Sequence, residues 1–279
     1  MKPRFTQGRS RWLAGGGAAL LVVVSVAAAL FALASPGNPA PAAPPTAAAV
    51  PAITATGLAP LEAPSINSGI APGKAILTST VGTLDVFDAP GGTVTRGLSR
   101  YTYYSSPLTL MAIDKGEADG DTWYQVLLPG KPNGQTGWVR ASDVTVSSTD
   151  TVIHVYLAEH ELDLVVDGTV AMTAPVAVGA PATPTPLGTF YITDSIDLST
   201  NPSGVYGSYA LGLSGYSEAL DSFKGTLPQI AIHGTYLPES VGKSVSNGCI
   251  RMRNDAVHNL AARVGLGTPV IVSASRVAA

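Results

Sequence analysis

The chain holds a single cysteine in 279 residues. No internal disulfide can form, so its core must come from packing, and the thiol of Cys249 is filler, a free reactive group or half of an intermolecular bridge. Charge is sparse as well: Asp, Glu, Lys and Arg make up 13% of the residues, with no long run of one sign to serve as a binding tail. Only Lys2, Arg4, Arg9 and Arg11 precede the first acidic residue, Glu62, and the remainder carries 12 basic and 19 acidic residues. That acidic excess disfavours nucleic acid as a partner. No group of His, Cys, Asp and Glu has metal-ligand spacing and no phosphate-binding glycine loop is present, so neither metal nor cofactor is expected.

What is there begins with an uncharged apolar segment, 12–34, behind a basic cytoplasmic N-terminus, 1–11. Its core from Leu13 to Leu33 is 21 residues long, enough to cross a hydrocarbon layer of about 30 Å. Ala32-Leu33-Ala34 fits a signal-peptide cleavage site, while the length favours an uncleaved anchor. Either way the rest is expected outside the cytoplasm, facing the wall or periplasm and tied to the plasma membrane if the helix is retained. Residues 35–72 are rich in Pro and Ala, which prevents helix and favours a semi-rigid spacer.

Between 73 and 148 short apolar runs alternate with turn signals, as in a small all-β barrel. Leu84 through Pro90, Trp123-Tyr124-Gln125-Val126 and Gly137-Trp138-Val139 resemble a bacterial SH3-like domain. Trp123 and Trp138 are read as core residues. A second β-rich region spans 149–275. Val152–Leu157 and Leu162–Val166 read as a hairpin, with Asp167-Gly168 turning into Thr169–Met172. Phe190–Thr193, Ile230–His233 and Pro269–Val272 are further strands, and Asn254–Arg263 is a short amphipathic helix with Asn254 or Asp255 as its cap. The stretch between Thr193 and Gln229, with Tyr206, Tyr209 and Tyr216, reads as one long irregular segment that forms a lid.

The chemistry gathers around Cys249. Gly248 precedes it, where a missing side chain lets backbone approach a substrate. His233 ends an apolar strand 16 positions upstream, and a thiol nucleophile needs such a proton acceptor. His154, His160 and His258 stand outside any motif; the first reads as a strand residue, the other two as solvated.

Pro184-Thr185-Pro186-Leu187-Gly188-Thr189-Phe190, Ile232-His233-Gly234-Thr235 and Ser246-Asn247-Gly248-Cys249-Ile250-Arg251-Met252 resemble, in order and spacing, the YkuD-type L,D-transpeptidase catalytic domain. The expected fold class is therefore mainly β: an SH3-like barrel, then a YkuD-type β-sandwich with a short helix, after the N-terminal helix and linker. The resemblance implies Cys249 as nucleophile, His233 as base and the Gly234 carbonyl as the group that orients the imidazole. It implies acyl transfer between peptidoglycan stem peptides, a donor tetrapeptide and an acceptor, through a thioester, giving 3→3 cross-links. Water as acceptor would make an L,D-carboxypeptidase, and a vestigial site a wall-binding protein. Sensitivity to carbapenems is also implied. Backbone N–H groups around Asn247, Gly248 and Cys249 are candidate oxyanion donors. Substrate contact falls to Arg251, to Ser246, Asn247 and Gly248, and to Tyr209 of the lid; Ser246 is read mainly as a loop-holding hydrogen-bonder. Many family members have histidine where this chain has Asn247, which removes a second titrating ring from the site.

Overall fold

The computed structural model describes residues 75–223 and 225–276. The expected N-terminal helix and the whole of the linker lie outside them. Among the described residues no helix is long and apolar enough to cross a membrane.

The first region is a seven-stranded antiparallel sheet. It comprises β1 (Ala75–Ser79), β2 (Thr83–Phe87), β3 (Val94–Ser99), β4 (Thr109–Ala118), β5 (Asp121–Leu127), β6 (Thr136–Arg140) and β7 (Val144–Ser148), in the order β3-β2-β6-β5-β4-β1-β7. Asp119 and Gly120 both take positive φ and close the β4–β5 hairpin, as a two-residue turn between right-twisted strands requires. Leu77, Leu84, Val86, Leu110, Val126 and Val139 form the core. Trp123 is buried, edge-on to Phe87 at 4.9 Å and beneath the Arg140 guanidinium, whereas Trp138, expected in the core with it, is only half-buried.

The second region adds β8 (Thr151–Tyr156), β9 (Glu161–Val166), β10 (Thr169–Pro175), β11 (Val178–Gly179), β12 (Gly188–Asp197), β13 (Tyr209–Tyr216), β14 (Gln229–His233), β15 (Ser244–Ser246), β16 (Ile250–Arg251), the helix α1 (Asn254–Ala261) and β17 (Pro269–Ser273). Eight strands run β10-β9-β8-β17-β12-β13-β14-β16, and β11 pairs with β15 apart from them. Strand β12 changes partner along its length, from β17 at 188–191 to β13 beyond Ile192, with an irregularity between Ile192 and Asp194. The two halves close on one core, in which Ile153, Val155, Leu162, Leu164 and Val270 meet Leu211, Leu213, Ile232 and Ile250. Helix α1 packs on the second half through Val257 and Leu260.

Two expectations need correction. The stretch from Thr193 to Gln229 is not one irregular segment, because β12 continues to Asp197 and β13 runs through its middle. The sequence of β13, Tyr-Ala-Leu-Gly-Leu-Ser-Gly-Tyr, has the alternation of a strand, but its small residues imitate loop composition. Helix α1 ends at Ala261 and neither Asn254 nor Asp255 caps it; the cap position is Arg253, without a side-chain bond.

The two regions are joined by specific contacts. Tyr191 of β12 is fully buried in the core of the first region, and its hydroxyl donates to the Leu127 carbonyl at 3.1 Å. The Asn133 carboxamide pairs with the Tyr216 backbone like a strand, accepting from its N–H and donating to its carbonyl, both at 2.8 Å. Thr102 donates its hydroxyl hydrogen to the Asp194 carboxylate.

Candidate active site

Strand β14 is the spine of the site. It pairs antiparallel with β13, Ala210 opposite His233 and Gly212 opposite Ala231. It pairs parallel with β16, Ile232 opposite Ile250 and His233 opposite Arg251. Paired residues point to the same face and successive residues alternate. Ile232 and Ile250 therefore face the core, while Ala231, His233, Cys249 and Arg251 share the opposite face. Cys249 immediately precedes β16, and continuing that register sets its side chain on the His233 face, diagonal to the imidazole.

His233 is 3% exposed. Its Nδ1 lies 2.5 Å from the Gly234 carbonyl. A carbonyl can only accept, so Nδ1 carries the proton and Nε2 is left as the basic nitrogen. Burial pushes the imidazole down to about 4, with the Arg251 charge adding to the shift, while the Gly234 and Tyr206 carbonyls pull the other way. The Tyr206 ring meets the imidazole edge-on at 5.0 Å. Cys249 is half-buried. Burial raises its thiol above the ordinary range, opposed by the Ala231 N–H and by Arg251. At neutral pH the pair therefore rests as neutral thiol and neutral imidazole.

The model of the YkuD family, the L,D-transpeptidase catalytic domain, matches residues 150–272. The YkuD protein of Bacillus subtilis (strain 168) is 36% identical over 153 residues, 53% of this chain and 84% of that protein. The chain belongs to the YkuD family of L,D-transpeptidases. A second Bacillus subtilis relative, YqjB, is 34% identical over 134 residues, 44% of this chain and 72% of its own length. The solved catalytic domain of the E. faecium L,D-transpeptidase is 28% identical, covers 44% of this chain and 97% of that one, and has a TM-score of 0.33.

The loop of this L,D-transpeptidase domain that delivers Cys249 is held from three sides. Ser246 accepts from the Gly248 N–H at 3.1 Å and donates to the Cys249 carbonyl at 2.5 Å. Thr185 accepts from the Gly179 N–H at 2.9 Å and donates to the Gly248 carbonyl at 2.8 Å, entirely buried. Thr183 donates to the Ser246 carbonyl at 3.0 Å. Gly248 has φ +109°, and a Cβ there would stand 2.9 Å from the Ile230 side chain. Glycine is thus required by backbone conformation and by a core neighbour, not only by a passing substrate. The Gly248 N–H is committed to Ser246, so of the expected oxyanion donors those of Asn247 and Cys249 remain. The Asn247 side chain is exposed.

Arg251 lies on the reactive face with its Nε buried and without a hydrogen-bond partner among the described residues. Tyr209 does not reach the groove. It stands on the core face with Leu211, edge-on to His258 of α1 at 5.2 Å, its hydroxyl 2.9 Å from Ser195 Oγ. The tyrosine that does reach the site is Tyr206, because strand alternation turns Tyr209 away. His258 is accordingly half-buried rather than solvated, and His160 lies 2.9 Å from Ser244 Oγ.

Asn254 carries a role the sequence hid. Its Oδ1 accepts from the N–H of Ser208 at 3.2 Å and of Thr235 at 3.1 Å. It fills space that a Cβ at Gly207 or Gly234 would occupy, only 2.2 Å from Oδ1 in each case. One carboxamide thus clamps the loop bearing Tyr206 to the turn after His233. Among the described residues no His, Cys, Asp and Glu group could hold a metal ion.

Proposed function

We propose that this chain is a cysteine-dependent peptidoglycan L,D-transpeptidase that forms 3→3 cross-links between stem peptides. The supporting observation is the shared face of Cys249 and His233, with Nδ1 held by Gly234 and Nε2 left as the basic nitrogen. Cys249 attacks the carbonyl of the donor's third residue while Nε2 takes the thiol proton. The N–H groups of Asn247 and Cys249 are the donors available to the oxyanion, each such donor typically supplying about 2.7–4 kcal/mol. On protonation the ring gains a second N–H, and the Tyr206 carbonyl is placed to accept it. His233 returns the proton to the departing D-alanine amine, the C–N bond breaks and a thioester remains. The acceptor amine then attacks the thioester, its proton passes to Nε2, and the C–S bond breaks to release the thiol. Arg251 holds a substrate carboxylate through its planar fork.

The surrounding parts suit that role. The first region is proposed as an SH3-like wall-binding or positioning module, behind a spacer and an N-terminal membrane helix, outside the cytoplasm. Carbapenems, as acylating agents, are expected to modify Cys249. The test is incubation of purified protein with muropeptides, followed by mass spectrometry. Cross-linked dimer from wild type, none from Cys249→Ala and a thioester adduct on Cys249 support the reading. Tripeptide alone would make the enzyme an L,D-carboxypeptidase, and no product with no carbapenem adduct would leave a wall-binding protein.

A further inference from the structure

The backbone that cradles the sulfur of Cys249 is the leading part of β14. The thiol donates toward the Gln229 carbonyl at 4.0 Å, and the Ala231 N–H donates to the sulfur. In a strand, the C=O of one residue and the N–H of the residue two further on share an edge. The sheet itself holds this stretch weakly on both edges. On the sulfur's edge β16 pairs only with Ile232 and His233. On the other edge the ladder to β13 is interrupted, with Leu213, Ser214 and Gly215 lying opposite Ile230 alone. Such a bulge leaves backbone groups without ladder partners.

Side chains take over that work. Gln229 Nε2 donates to the Leu213 carbonyl at 2.9 Å and to the Thr193 hydroxyl at 3.1 Å. Thr193 donates in turn to one oxygen of the Asp194 carboxylate at 2.7 Å, and Thr102 of the first region donates to the other. The direction of every bond is fixed. The Leu213 carbonyl can only accept, so the amide nitrogen of Gln229 faces it. A carboxylate can only accept, so both threonines donate to Asp194, which leaves the Thr193 oxygen to receive the second Gln229 N–H. Asp194 is 2% exposed, and among the described residues no Lys, Arg or His pairs with it. A buried carboxylate without a counter-ion is costly. What this one secures is the orientation of two hydroxyls, one from each region. The first region grips the same bulge at two more points: the Gly130 N–H donates to the Ser214 carbonyl at 3.4 Å, and Asn133 pairs with Tyr216.

We propose that Asp194 is a positioning residue which, braced by Thr102 of the first region, sets Gln229 and with it the backbone against which the Cys249 sulfur rests. The first region is then part of the support of the reacting centre. This deepens the acyl-transfer reading, on which it rests for the role of Cys249. The polarity of the chain makes the assignment specific. The two threonines donate to different oxygens, so an amide at position 194 would turn its NH2 toward one of them and lose that bond. Valine at position 102 keeps the shape of threonine and lacks the donor.

The test reads the sulfur directly. Iodoacetamide alkylation of Cys249, the single cysteine of the chain, is followed against pH in full-length wild type, Thr102→Val, Thr102→Ser and Asp194→Asn. These changes leave in place the charged and titratable neighbours of the sulfur, His233, Arg251 and Tyr206. Displacing the Ala231 N–H removes a donor that favours the thiolate. Thr102→Val and Asp194→Asn are therefore expected to slow alkylation near about pH 8 by about threefold or more, with the profile displaced to higher pH. Thr102→Ser, which keeps the donor, is expected to stay within about twofold of wild type. With a tetrapeptide substrate the two impaired variants are expected to lower kcat about tenfold while KM stays within about twofold. Faster alkylation in Thr102→Val, the mark of a merely opened site, overturns the proposal, as does an unchanged rate or a loss that Thr102→Ser shares. Should Asp194→Asn fail to fold, Thr102→Val and Thr102→Ser decide alone. The alkylation differences in a protein that forms no thioester support the positioning and overturn the transfer reaction.

Discussion

A neutral thiol beside a neutral imidazole behaves differently from a preformed ion pair. With His233 lowered to about 4 and Cys249 raised, proton transfer is expected to accompany attack instead of preceding it. Iodoacetamide alkylation of Cys249 is therefore expected to keep rising with pH beyond about 8.5, the range of a free thiol, without a plateau near neutrality. A plateau at pH 5–6 would show a thiolate–imidazolium pair. The acid limb of kcat/KM is expected near pH 4–5, not near the ordinary histidine value of about 6.5. The common face of Cys249 and His233 was legible in the sequence because motif and strand pattern coincide there: a glycine before the cysteine and a histidine at a strand end. Thr185 was visible as a motif residue but not as a bridge. Thr185→Val strands the Gly179 N–H and the Gly248 carbonyl, and is expected to cost about 1–3 kcal/mol by urea denaturation.

Strands and helix place these groups, and here legibility was mixed. β8, β9, β14 and β17 announced themselves by apolar runs between turn signals. β13 did not, because Gly212 and Gly215 sit where the Asp194 carboxylate and the Phe190 ring press against the backbone. Asn254 misled for a related reason: its type suits a helix cap, yet its partners lie 46 and 19 residues away, a distance that local pattern cannot carry. Asn254→Ala leaves two backbone donors without an acceptor and frees the turn after His233. It is expected to lower kcat about 10- to 100-fold with little change in KM, and Asn254→Asp, which keeps an accepting oxygen, to restore part of the loss. A pure change in KM, or a stability loss without a change in kcat, would contradict the clamp.

The two regions share side chains and are expected to unfold together. Tyr191 belongs to the second region by sequence and to the core of the first by position, so Tyr191→Ala is expected to destabilise both by about 3–5 kcal/mol in one calorimetric transition. Two separated transitions would show independent folding units. Protonation acts on the whole as well. The unfolded chain binds a proton at His233 near pH 6.5, whereas the folded chain refuses it until about 4. Stability is therefore full above about pH 6.5 and falls as pH drops toward 4, by about 3 kcal/mol in all. Urea midpoints from pH 7 to pH 4.5 measure this slope, and His233→Gln should flatten it. The mainly β class followed from period-two runs in both regions; the junction did not, since Tyr191, Asn133 and Thr102 carry no signal of their partners.

Oxidants such as peroxide attack sulfur as its anion. A sulfur held protonated until substrate arrives offers them little, and with no second cysteine in the chain no neighbouring thiol could repair a sulfenic acid by internal exchange. Held protonated by burial, the Cys249 thiol is therefore expected to react with peroxide more slowly than a free thiolate at the same pH.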